Sequence, residues 1–146
     1  MSETIEAKGQ CVCGAVSFVA NSMSPDVGAC HCEMCRQWGG GPFMEVDCGS
    51  DVSFSGEDNI SIFNSSDWAE RGFCKNCGSH LFYRFKEANL HMMPVGLFKD
   101  DSKFVFKKQV FIEEKPHYYS FANDTEDLTG DELVKQFMAA SEEGKS

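Results

Sequence analysis

Arg71 to Leu81 reads RGFCKNCGSHL, and far upstream Cys11 to Gly14 reads CVCG. In the later stretch Cys74 and Cys77 form a CxxC pair followed by Gly78, the shape of a zinc knuckle. The turn aims both sulfurs at one point and the glycine relaxes the backbone as the chain leaves. The CxC pair of Cys11 and Cys13, followed by Gly14, supplies the other half of a four-cysteine tetrahedron. Such a site ties an N-terminal strand to the middle of the chain, and it contributes to folding because only the assembled ligands bind the metal. The competing reading makes Cys11 and Cys13 two strand thiols on one face, packed as small hydrophobes, since strand side chains repeat every second residue.

Working outward, the next cluster is Cys30 to Arg36, CHCEMCR. The three thiols of Cys30, Cys32 and Cys35 can wrap one metal ion, and no further cysteine motif supplies a fourth ligand. A zinc with three protein ligands and a vacancy is the catalytic pattern, open to water or a substrate atom. Cys48 competes for the fourth place, although a lone Cys before a Gly is more often a buried small hydrophobe. His31 stands inside the motif, where it can act as a base or turn away from the metal into a contact with the chain. Arg36 can hold a substrate carboxylate or pair with one of the many acids. The run Gln37 to Phe43, QWGGGPF, contains Gly40 and Gly41, which let a backbone pass close to a ligand or simply make a loop. His80, His91 and His117 read as ordinary strand or loop residues.

The remaining composition narrows the class. The chain has 146 residues, 42% of them hydrophobic, with 13 Phe, enough for one sizeable core. Lys and Arg number 13 against 23 Asp and Glu, for a formal charge of -10. That balance, with no basic cluster, argues against nucleic acid as a partner. The N-terminal residues lack the basic start and apolar run of a secretory signal, and no apolar run reaches membrane-spanning length, so a cytoplasmic protein without a membrane partner is expected. In a reducing compartment, eight cysteines of which seven fall in tight clusters read as metal ligands more readily than as disulfides.

Short runs rich in Phe, Val and Ile between Gly, Asn, Asp and Ser predict antiparallel strands. They fall at Ala15 to Ala20, Pro42 to Asp47, Asp51 to Ser55, Ser61 to Asn64, His80 to Phe85, Leu90 to Val95 and Lys108 to Ile112. One segment reads as helix, capped at Thr129 or Asp131, with Leu133, Val134, Phe137 and Met138 at helical spacing. The tail from Ser141 to Ser146 is expected to fray. The fold class is mainly β in a single domain over residues 1–146, with a short C-terminal helix.

In order and spacing, Cys11-Val-Cys13-Gly14, then Cys30 to Arg36 with Gly40-Gly41-Pro42-Phe43, then Arg71-Gly72-Phe73-Cys74 to Leu81, resemble the glutathione-dependent formaldehyde-activating enzyme family. Val110 to Tyr119, VFIEEKPHYY, resembles its late strand and aromatic segment, giving a motif core of about residues 9–120. The resemblance implies the β-tent fold shared with centromere protein V-like proteins, and two zinc ions per chain. It assigns the structural zinc to Cys11, Cys13, Cys74 and Cys77, and the substrate-facing, catalytic zinc to Cys30, Cys32 and Cys35. Gln37 and Trp38 depart from the small or basic residues that many relatives carry there. By the same resemblance the substrate is a glutathione thiol adduct such as S-hydroxymethylglutathione, made from formaldehyde and glutathione by a carbon-sulfur lyase running in the synthetic direction. Arg36, Gly40 and Gly41 are the candidate substrate contacts, with Arg71 a second candidate for a carboxylate. The alternative is a non-catalytic glutathione or zinc carrier. A chromatin-type interaction module is disfavoured by the acidic ends, Glu3 and Glu6, Glu142 and Glu143. A homo-oligomer is left open.

Overall fold

Between Ile5 and Met23 the chain folds back on itself because alternate residues differ in polarity, so that each strand has one side to bury. β1 (Ile5–Gln10) pairs antiparallel with β2 (Ser17–Met23), and β2 with β5 (Val52–Ser55), in a sheet of order β1-β2-β5. Phe18 of β2 turns inward and meets Phe98 edge-on at 5.2 Å and Phe54 at 6.0 Å. Gly9 lies opposite Phe18 in register, where a Cβ would stand 2.6 Å from the phenyl ring and 2.4 Å from the Leu97 carbonyl oxygen. Only glycine permits that approach.

The structure is a computed structural model covering residues 3–144, and it divides into two compact units. The first unit holds residues up to Val27 and from Glu45 to Val105. Besides the three-stranded sheet it contains β6 (Ile60–Phe63), β7 (Ala69–Cys74), β8 (His80–Phe85) and β9 (Leu90–Pro94). These four form an antiparallel meander, β9 pairing in turn with Glu45 to Asp47 at the end of β4 (Phe43–Asp47). Its core includes Leu81, Phe82, Val46 and Met93, all buried. The Phe82 ring touches Phe54 at 5.4 Å and His91 at 5.3 Å.

The second unit comprises Gly28 to Met44 and the chain from Phe106 onward. Here the end of β3 (Asp26–Cys30) lies beside β10 (Val105–Val110), and β10 beside β11 (Glu126–Leu128). β10 and β11 run parallel, with Gln109 opposite Asp127, an exception to the antiparallel pattern expected from the short-turn sequence. α2 (Gly130–Gly144) is the expected C-terminal helix, and it begins with a capping box. The Glu132 amide donates to Thr129 Oγ1 at 3.1 Å, and the Thr129 amide to a Glu132 carboxylate oxygen at 3.0 Å. Ser141 to Gly144, expected to fray, belong to this helix, while Lys145 and Ser146 lie outside the described residues.

Each of the strands expected from sequence is present, with ends displaced by a few residues. β1, β3, β7 and β11 were not expected, because acids, basic residues or glycine interrupt their apolar patterns. The expectation of one helix is corrected: α1 (Glu33–Gly39) occupies the CHCEMCR cluster and buries only Cys35. Seven residues are too few to display a helical period. Among the described residues, no helix is long and apolar enough to cross a membrane.

Candidate metal centres

The first centre lies within the first unit and is assembled from two turns. Cys11 follows β1, and its carbonyl accepts from the Gly14 amide at 3.1 Å; Cys74 ends β7, and its carbonyl accepts from the Gly78 amide at 2.7 Å. Both glycines have positive φ, 78° and 82°, so the same residue type closes both turns for the same steric reason. The four Sγ atoms of Cys11, Cys13, Cys74 and Cys77 all lie within 4.8 Å of one another. Cys13 Sγ is 3.7 Å from Cys11 Sγ and 3.8 Å from Cys74 Sγ.

Those separations discriminate between cysteine chemistries. A disulfide holds its sulfurs about 2.05 Å apart. Zinc–sulfur bonds of about 2.3 Å put two sulfurs of a tetrahedron about 3.8 Å apart, which the observed spacing matches. Donors surround the sulfurs: the Val16 amide points at Cys11 Sγ at 3.4 Å and Asn76 Nδ2 at Cys13 Sγ at 3.2 Å. Hydrogen bonds from the Ser79 side chain and backbone bring the Cys77 thiol down to about 5, so it is ready to ligate as thiolate. The set fits a closed four-sulfur metal site, and this geometry displaces the reading of Cys11 and Cys13 as packed strand thiols.

The second centre lies within the second unit. Cys30 is the last residue of β3, Cys32 is the N-cap of α1, and Cys35 is in the first turn of that helix. Their Sγ atoms also lie within 4.8 Å of one another, and no fourth His, Cys, Asp or Glu completes the group among the described residues. Three soft sulfurs suit zinc. Cys32 Sγ additionally accepts from the Cys35 amide at 3.4 Å, the bond that starts the helix. Gly40 ends it with φ 85°, its amide donating to the Arg36 carbonyl at 2.7 Å. Gly39, Gly40 and Gly41 all face open space, and of the three only Gly40 has a positive φ. Cys30, at a strand end, and Cys35, in a helix, are both buried.

The remaining candidates are placed as follows. Cys48 belongs to neither cluster; it is fully buried in the first unit, and burial followed by Asp47 pushes its thiol up to about 12. It is a core residue. Arg36 does not behave as a surface ion-pair partner: its Nε donates to the His31 carbonyl at 2.9 Å. Arg71 is only 2% exposed, with its guanidinium carbon 5.1 Å from the centre of the Tyr83 ring, which removes it from the surface where a carboxylate would bind. His80 and His91 are on β8 and β9 and bond the carbonyls of Phe82 and Gly49 at 3.0 Å each. His117 is exposed beside Tyr118.

Sequence reasoning left His31 with two roles, and the structure decides between them. Its ring is fully buried, Nδ1 2.7 Å from Tyr119 Oη and Nε2 2.8 Å from Gln109 Oε1. Burial, the largest influence, lowers its pKa from the ordinary histidine value. Both nitrogens are occupied away from the thiols. Tyr119, Gln109, Ser79 and Asn76 are thus site residues that sequence motifs did not single out. Asn76 and Ser79 lie in the CxxC stretch and Tyr119 at the end of the aromatic segment, while for Gln109 the signal was a polar residue inside a strand.

Comparison with known proteins adds an independent line. The family model described as glutathione-dependent formaldehyde-activating enzyme matches residues 6–114 of this chain. The chain belongs to that family. An uncharacterized lyase of Schizosaccharomyces pombe is 39% identical over 134 residues, covering 91% of this chain and 98% of the relative. A crystal structure of a Rhodobacter sphaeroides protein aligns with a TM-score of 0.52 at 23% identity, over 63% of this chain and 87% of that one, a likeness of fold. The family match includes all seven cysteines of the two clusters.

Proposed function

We propose that this member of the family is a zinc-dependent, carbon-sulfur lyase-type enzyme that acts on adducts of the glutathione thiol, such as S-hydroxymethylglutathione formed from formaldehyde. The observation that carries the reading is the three-thiol set of Cys30, Cys32 and Cys35, incomplete as a tetrahedron among the described residues. Family membership and the relative's designation as a lyase support the reaction class. In the synthetic direction the thiol gives up its proton, its sulfur bonds to the carbonyl carbon as the C=O double bond becomes single, and the oxygen takes up a proton; in reverse the hydroxyl proton is lost, the carbon-sulfur bond breaks and the thiol is re-formed. A zinc ion held by these three cysteines would supply positive charge that favours a thiolate over a thiol and polarises a carbonyl, and a second, at the closed four-cysteine site, would be structural.

The chain's own groups would do the rest. Arg36, fixed through Nε to the His31 carbonyl, has further donors suited to a glutathione carboxylate. Gly40 and Gly41 follow the ligand helix, and the open space at Gly41 suits close approach of a peptide backbone. Because the family match crosses both compact units, the chain is treated as one functional domain. Eight cysteines with no disulfide among them support a reducing, cytoplasmic setting.

Binding and turnover test this separately. Glutathione that binds as thiolate should release a proton near neutral pH, since a free thiol has a pKa of about 8.5. Titration calorimetry in two buffers of different ionisation enthalpy should therefore give different apparent heats, and S-methylglutathione should bind far more weakly. Equal heats and equal affinities would rule out thiolate binding. One observation favours the alternative, a non-catalytic glutathione or zinc carrier: His31, the nearest histidine in sequence, has both ring nitrogens engaged elsewhere. A coupled assay with formaldehyde and glutathione decides, the carrier predicting no rate above the uncatalysed background.

A further inference from the structure

His31 is the one residue between Cys30, the last residue of β3, and Cys32, the N-cap of α1. The sulfurs of these two neighbours lie within 4.8 Å of each other, while the His31 ring is engaged by Tyr119 and Gln109. Whatever holds the His31 ring therefore sets the aim of both thiols. The residue is held at four points: the two ring nitrogens, the amide donating to the Val110 carbonyl at 3.1 Å, and the carbonyl accepting from Arg36 Nε at 2.9 Å.

The bonds continue past Gln109. Its Nε2 donates to Thr125 Oγ1 at 2.9 Å, and the Thr125 hydroxyl donates to Asp127 Oδ1 at 2.6 Å. The parallel pairing of β10 with β11, which sets Gln109 opposite Asp127, brings these groups together. The direction of every bond in this series follows from its last member. The Asp127 carboxylate only accepts, so Thr125 must donate to it and accept from Gln109, leaving Gln109 Oε1 to face His31. The histidine then donates from Nε2 to Gln109 Oε1, while Nδ1 pairs with the Tyr119 hydroxyl at 2.7 Å. Every member is satisfied in one direction only, the condition under which a buried polar network rigidifies what it touches.

We propose that Tyr119, Gln109, Thr125 and Asp127 are positioning residues which, through His31, lock Cys30 and Cys32 onto the second metal. This rests on the reading that the three thiols bind a metal. Polar partners outside a metal's ligand set alter its affinity by roughly 10- to 100-fold when removed. The purely structural alternative is a satisfied buried network that stabilises the second unit without reaching the thiols.

The test uses the full chain loaded with zinc, and in parallel with cobalt(II), following metal release to a chelator. The wild type should hold two metals and release them in two phases, the phase missing from the Cys35→Ser variant being the second centre. Tyr119→Phe should accelerate that phase about tenfold or more, shift the visible cobalt absorption belonging to it, and leave the other phase unchanged. Thr125→Val, remote from the thiols, should act in the same direction, and Thr125→Ser, which keeps the hydroxyl, should restore the wild-type rate. Wild-type release from both Tyr119→Phe and Thr125→Val overturns the proposal, as does acceleration of both phases in step with a falling melting temperature. If the wild type holds one metal and Cys35→Ser loses none, the metal reading itself has failed, a distinct outcome.

Discussion

At the residue scale the two cysteine clusters differ in the span of chain they draw together, although each brings its sulfurs within 4.8 Å of one another. Cys11, Cys13, Cys74 and Cys77 join two turns that are more than sixty positions apart in sequence, and the pair Cys13 and Cys74 meets at 3.8 Å. Removing one sulfur from a structural site forfeits metal-linked folding energy. Cys74→Ser should therefore lower the melting temperature by on the order of 10 °C, taking about 2–4 °C per kcal/mol for a chain near this size. Cys35→Ser removes a ligand whose neighbours Cys30 and Cys32 are only a few positions away, so little chain entropy is at stake. Its melting temperature should stay within a few degrees while the second metal is lost. Thermal denaturation of both variants alongside metal content checks the division; equal destabilisation contradicts it.

At the element scale α1 shows how a helix too short for any periodic signal is still specified. Cys32 caps its start through sulfur, Glu33 donates its amide to Glu114 Oε1 at 3.1 Å, and Gly40 closes its end in the left-handed region. The late segment Ile112–Glu114 thus holds the ligand helix, and Val110 and Tyr119 hold His31 just before it. Gly40→Ala should cost about 1 kcal/mol because an L residue is strained at φ 85°. Gly41→Ala should cost the fold nearly nothing, since a Cβ there meets open space. If Gly41 is a close contact for glutathione, its alanine variant should nevertheless bind glutathione several-fold more weakly. Denaturant titration paired with calorimetry separates the two effects, and unchanged binding in Gly41→Ala would remove that residue from the substrate contacts.

At the scale of the whole molecule, stability should depend on pH through buried histidines. Burial, the dominant effect, pushes His80 down to about 4 from its ordinary 6.5, and it also lowers His31 and His91. Between those values the unfolded chain binds protons that the folded chain refuses. Stability is therefore greatest above about pH 6.5 and falls as pH drops toward 4, by up to about 1.4 kcal/mol per pH unit for a histidine that titrates only when unfolded. Denaturant titrations between about pH 7.5 and 5 should show this decline, and His80→Gln should flatten it. A variant curve parallel to the wild type would show that His80 makes no such contribution.

Both cysteine clusters that could hold a metal are legible in the amino-acid sequence, because cysteines at turn spacing are a local device written in a few consecutive residues. The β class is legible for the same reason, since apolar alternation and turn residues are local. β7 is hidden because Glu70 and Arg71 break its pattern, and the burial of Arg71, whose guanidinium carbon lies 5.1 Å from the centre of the Tyr83 ring on the neighbouring strand, is a product of the fold. Cys48 is a core residue, not a fourth ligand, through where its strand ends. The orientation of His31 depends on Gln109, 78 positions away, and on Tyr119, 88 away. A hydrogen bond between residues so distant in sequence carries no periodic or spacing signal, because the tertiary fold alone creates its geometry. The sequence by itself determined which sulfurs gather; the packing of β10, β11 and the Tyr119 segment decided where they point.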